Sequence, residues 1–106
     1  MADFNDMLQK AKLMQQKMKE AQDEIKNIQV EGVSGGNLVK VTLSGDYELK
    51  SISISESAKK ETQEIINDLI IAAYNNAKEN LKKKSSEEFS KITGGINLPF
   101  DIKFPL

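Results

Sequence analysis

The sequence predicts an α+β fold: a long N-terminal helix, a three-stranded antiparallel meander, a long C-terminal helix and an apolar tail. Three observations carry this. Apolar residues step by three and four over residues 4–28. They alternate in short runs over residues 28–54, with Gly-containing turns between the runs. They return to helical spacing from Ile65 onward.

The first helix rests on the seam Phe4, Met7, Ala11, Met14, Met18, Ala21, Ile25 and Ile28, an unbroken heptad pattern of the kind that seeks a second helix. Asp3 is placed to cap its start, and Asp6 adds negative charge to its first turn. No Gly or Pro falls between Met1 and Glu31, so the helix is expected over residues 1–27. Lys12, Lys19 and Lys26 recur every seven residues on one flank of the seam, and Lys10 and Lys17 form a row on the other.

The sheet is expected over residues 28–55. Ile28 and Val30 share one strand face. Ser34 to Asn37 reads as a turn, because Gly accepts positive φ freely and Asn tolerates it. Val39, Val41 and Leu43 then face one side, with Lys40 and Thr42 on the other. Ser44 to Asp46 makes the next turn. The third strand is expected to begin at Tyr47. Its apolar phase slips from odd positions (Tyr47, Leu49) to even ones (Ile52, Ile54), which predicts a bulge near Lys50 and Ser51.

A second helix is expected over residues 57–92, with Ser57 as its N-cap and Glu61 and Glu64 in its first turns. Ile65, Ile66, Leu69, Ile70, Ala72, Ala73, Ala77 and Leu81 give it an apolar face broader than a three-stranded sheet requires, which implies a partner helix. Beyond Leu81 the segment turns polar, with Phe89 and Ile92 as a thin stripe, and Gly94 and Gly95 end it. Residues 94–106 read as an extended tail in which Leu98, Phe100, Ile102 and Phe104 alternate. The whole chain, 1–106, reads as one domain.

Composition narrows the function. The chain has neither Cys nor His, so it lacks a thiolate nucleophile and the usual neutral-pH base and metal ligand. Neighbouring carboxylates such as Asp23 with Glu24 diverge by roughly 100° on a helix and do not converge on one site. No catalytic residue, metal, cofactor or small-molecule substrate is expected, and the protein is read as no enzyme. Ser57 to Lys60 matches a bare S-x-x-K but has no companion motif, and GVSGGN lacks the ending of a phosphate loop. No apolar run reaches membrane-spanning length, so no membrane partner is expected and a cytoplasmic location is. Net charge is −1, and all 15 basic residues are Lys. Lys neutralises phosphates well but lacks the planar fork with which Arg reads guanine.

Four segments in order carry a family resemblance: LMQQKM (Leu13 to Met18), GVSGGNLVKVTLSGDYELKSISI (Gly32 to Ile54), IINDLIIAAYNNA (Ile65 to Ala77) and GGINLPFDIKFP (Gly94 to Pro105). Together the chain resembles the YbaB/EbfC family of bacterial nucleoid-associated proteins. The resemblance implies an intertwined homodimer with a tweezer-like outline, whose helices project as arms. It also implies binding to duplex DNA in the nucleoid, with recombination or replication proteins as further partners. The expected DNA contacts are Lys10, Lys12, Lys17, Lys19, Lys82, Lys83 and Lys84. The expected dimer or partner contacts are Met7, Met14, Met18, Leu69 and Ala73. The competing reading is a protein-interaction module in which the Met seam and tail grip a partner. The alternative for Lys82 to Lys84 is helix support through pairs such as Lys83 with Glu87 and Lys84 with Glu88.

Overall fold

The computed structural model describes residues 2–92 and 94. The order is α1 (Ala2–Lys26), β1 (Gln29–Ser34), β2 (Val39–Ser44), β3 (Leu49–Ile54), α2 (Glu56–Lys59) and α3 (Gln63–Ile92). The expected tail lies outside the described residues, apart from Gly94. The three strands form one antiparallel sheet in the order β1-β2-β3.

Both turns follow from local chemistry. Gly35, Gly36 and Asn37 take positive φ in succession, at 59°, 64° and 79°, and Leu38 N–H closes the turn onto Ser34 O at 3.0 Å. At the second turn the expectation needs correction, because Tyr47 does not begin the strand. It stands in the left-handed region at φ 63°, its N–H donating to Ser44 O, and the strand starts at Leu49. The phase slip is a bulge, as expected. Thr42 opposes Ser51 while Leu43 opposes Leu49, so Lys50 is the extra residue.

The second helix is also corrected: it is two helices. Ser55, not Ser57, caps the first turn, its Oγ accepting from Ala58 N–H at 3.1 Å. The chain then breaks, and Thr62 Oγ1 accepts from Ile65 N–H at 3.3 Å to start α3. Two competing caps seven residues apart leave room for one turn between them.

Val39, Val41 and Leu43 are fully buried, and with Val30, Ala58, Ala73, Ala77 and Leu81 they form the core. α3 packs over β1 and β2. It runs antiparallel to β1: Ser34 Oγ donates to Leu69 O (2.6 Å), Val33 N–H to Asn76 Oδ1 (2.9 Å), and Asn80 Nδ2 to Glu31 O (2.9 Å). Continuing past Asn80, α3 leaves the sheet and runs beside α1, whose buried positions, Ala21 and Ile25, lie at its C-terminal end. Gly32 is where α3 meets the sheet. A Cβ there would collide with backbone of Ala73 and Ala77. Gly45 seats the second turn on the end of α1, where a Cβ would strike the Ile25 carbonyl.

The molecule is therefore long: 72 × 21 × 17 Å, with a radius of gyration of 19.2 Å. A compact chain of this length would have about 13 Å. The excess is the projecting pair of helices.

Candidate nucleic-acid interface

The projecting part consists of the N-terminal two-thirds of α1 and the end of α3. Met14 and Met18 are half-buried, as are Phe89 and Ile92, so the seam is partly closed at its middle. Toward the tip it opens: Phe4 and Met7 are 67% and 68% exposed, and Leu8 and Leu13 are exposed beside them.

Lys10, Lys12 and Lys19 are exposed and Lys17 is half-buried, all on this arm. Lys17 makes an ion pair with Glu20, at a loose 3.9 Å. Lys10, Lys12 and Lys19 carry no ion pair among the described residues. Lys10 and Lys17 are seven residues apart, as are Lys12 and Lys19, so each pair is a row with a rise of roughly 10 Å. The two rows lie about 160° apart around the helix, since two residues turn it by about 200°. One straight surface therefore meets one row and not both.

Lys82, Lys83 and Lys84 are exposed where α3 leaves the sheet. The supporting pairs with Glu87 and Glu88 do not form. Glu88 pairs instead with Lys91 at 3.6 Å, and Lys82 to Lys84 carry no ion pair among the described residues. Three successive positions fan over about 200° of the helix, so these lysines cannot all address one surface. The structure thus puts both lysine clusters on helices that leave the sheet. Their charges are open to solvent, where surface pairs would add little in any case.

The apolar candidates divide. Met7 is open at the tip. Leu69 is half-buried at the edge of the core, and Ala73 is fully buried against β1 within its own chain, leaving nothing to offer a partner. Ile65 and Ile71 on α3, Leu49 and Ile52 on β3, and Val33 on β1 are the large apolar residues left exposed around the sheet.

Two polar features escape sequence reading. Asn76 and Asn80 lie one helical turn apart and cap outward-pointing backbone groups of β1. Their spacing in α3 was visible, but their target was not. The other is the second turn, where the Ser44 hydroxyl donates to Asp46 and also accepts from Glu48 N–H at 3.2 Å. The Ser44 hydroxyl above all holds the Asp46 carboxyl below its ordinary value of 3.8. Tyr47, beside it, has a buried hydroxyl without a partner among the described residues. Burial, then the nearby Tyr74 and Glu79, push its pKa above 10.0. Among the described residues no cluster of three or more metal-ligating side chains occurs, and no helix is long and apolar enough to cross a membrane.

A nucleoid-associated protein of Bartonella bacilliformis is 42% identical over 106 residues, covering 99% of this chain and 98% of that protein. One of Francisella tularensis is 44% identical over 107 residues, covering 97% and 96%. The fold is similar to that of an uncharacterised Helicobacter pylori protein in a crystal structure, with a TM-score of 0.58 at 19% identity, covering 73% of this chain and 90% of that one. The sequence model of the YbaB/EbfC DNA-binding family matches residues 1–96. The chain belongs to the YbaB/EbfC DNA-binding family.

Proposed function

We propose that this protein organises the nucleoid as a homodimer that holds duplex DNA through lysine–phosphate contacts, with low sequence specificity and without catalysis. The observation that carries the reading is the placement of the lysines. Six of the seven candidates, all but Lys17, stand on the projecting helices without an ion pair among the described residues. Free ammonium groups release phosphate counterions on binding, and the absence of Arg removes the usual reader of base edges. Two arms in one dimer present two such sets, and their linkage raises affinity. The exposed Leu49, Ile52, Ile65 and Ile71 supply apolar surface for the second copy.

The test is fluorescence anisotropy of a labelled random-sequence duplex at several salt concentrations. Binding is expected to weaken steeply with salt, with a log–log slope of roughly −0.9 per phosphate contacted. Reversing Lys10, Lys12, Lys17 and Lys19 to Glu together is expected to abolish binding while circular dichroism stays unchanged. Retention of binding by that variant overturns the assignment of the arm.

A second reading is supported by the arm tip, where Phe4, Met7, Leu8 and Leu13 are exposed. Such a surface suits a protein partner from replication or recombination, with DNA contact incidental. Absence of salt-sensitive binding by a folded dimer would favour it.

A further inference from the structure

The apolar stripe of α1 is longer than the helix that covers it. Ala21 and Ile25 are buried, Met14 and Met18 are half-buried, and Phe4, Met7, Leu8 and Ala11 are exposed. All lie on one face. Phe4, Met7, Leu8 and Ala11 fall within about 100° of arc, and Met14 and Met18 continue the same stripe toward the sheet. Leu13 is not part of it, since nine residues from Phe4 rotate it by about 180°.

Burial on α3 declines in the same way. Leu81 and Ser85 are buried, Phe89 and Ile92 are half-buried, and there the helix ends. Gly94 closes it at φ 67°, its N–H donating to Lys91 O at 3.3 Å. The stripe of α1 thus loses its cover where α3 stops, and the uncovered part from Met14 to Phe4 is about 15 Å long. The chain continues from that point through residues 95–106, where every even position is apolar: Ile96, Leu98, Phe100, Ile102, Phe104 and Leu106. Alternate residues of an extended chain share one side. Pro99 and Pro105 occupy odd positions, fix their own φ and favour extended backbone before them, so less chain entropy is lost on docking. An extended chain spans 15 Å in about five residues, so the reach is ample.

We infer that the C-terminal segment takes over from α3, with residues 96–102 lying extended along Ala11, Leu8, Met7 and Phe4 of the same chain's α1. The contact continues the α1–α3 packing already present and buries the apolar arm tip. The segment carries one Asp and one Lys, so apolar burial and not charge holds it. Lys10 and Lys12 flank the stripe and stay open to solvent. The inference therefore stands apart from the DNA and homodimer readings.

The chain supplies its own probes. Its four methionines, Met1, Met7, Met14 and Met18, all lie in the first 18 residues, and it has no Cys. The full chain with Asp101→Cys carries a nitroxide there, and the methionine methyl groups are followed by NMR. The expected result is strongest signal loss at Met7, less at Met14 and least at Met18, equally at low and high salt. Adding Leu98→Asp and Phe100→Asp should release the segment and leave Met14, nearest its root, the most affected, with circular dichroism unchanged. Greater loss at Met14 than at Met7 without those substitutions overturns the docking and returns the tip to a partner protein. A tagged, unlabelled chain refolded with an untagged, labelled one is the control. Strong loss at Met7 in that mixture overturns docking within one chain and assigns the segment to another copy's arm.

Discussion

Gly32 shows how one missing side chain fixes a layer. Its Cβ position is filled by the backbone of α3 at Ala73 and Ala77, so Gly32→Ala must push helix from sheet. A loss of about 3 kcal/mol or more is expected, at the upper end for overpacking a core, and urea unfolding measures it. Tyr47 is the opposite case, a large residue in a backbone conformation it disfavours, retained because its ring packs against the core. Its hydroxyl is buried without a partner among the described residues, and Tyr47→Phe is expected to be neutral or to stabilise by about 1 kcal/mol. The pH dependence follows from the raised pKa. The folded state holds the phenol proton more tightly than the unfolded state, so the contribution is intact below pH 10.0 and is lost as pH rises through the higher folded value. Thermal melts of the wild type should therefore fall more steeply above that pH than those of Tyr47→Phe. Asp46 works in the other direction. Its lowered pKa supports stability above 3.8, and that support is lost as pH falls through the folded value.

At the scale of elements, period and placement were legible to different degrees. The long helix α1, the alternation Val39, Val41, Leu43 and the bulge at Lys50 follow from residue spacing, and the structure has all three. The break between α2 and α3 was not legible, because Ser55, Ser57 and Thr62 are all competent caps and only tertiary packing selects among them. Asn76→Ala with Asn80→Ala should cost about 1–3 kcal/mol in all, since each leaves a strand group unpaired or rewetted. The double variant should also expose the β1 edge and raise the tendency to associate, which light scattering measures. The lysine rows are an element-scale matter as well. They lie on opposite sides of α1, so a duplex held by one arm meets one row. Lys10→Glu with Lys17→Glu and Lys12→Glu with Lys19→Glu are therefore expected to differ, one removing most DNA affinity and the other little, as read by anisotropy.

For the whole molecule, shape and association are one problem. A 106-residue chain drawn out to 72 Å spends its apolar residues on a thin core and leaves Leu49, Ile52, Ile65 and Ile71 exposed around it. A small chain has little stability to spare. If the second copy covers these residues, unfolding is coupled to dissociation, and the melting temperature should rise with protein concentration. A concentration-independent melt would contradict the homodimer.

What the sequence by itself determined was periodicity and chemistry. It specified two helical stretches around a meander, turns at the Gly and Asn positions, and an all-Lys basic complement without Cys or His. These are local properties, set by side-chain spacing, φ preference and ionisation. Only the tertiary structure decided which residues the chain uses on itself. Ala73 looked available for a partner and is buried beneath Gly32, while Ile52, opposite the buried Val41, is left exposed. The difference comes from where a 30-residue helix lies on a three-stranded sheet. Hydrogen bonds from Asn76, Asn80 and Ser34 anchor α3 over β1, the helix covers two strands, and the third is left open.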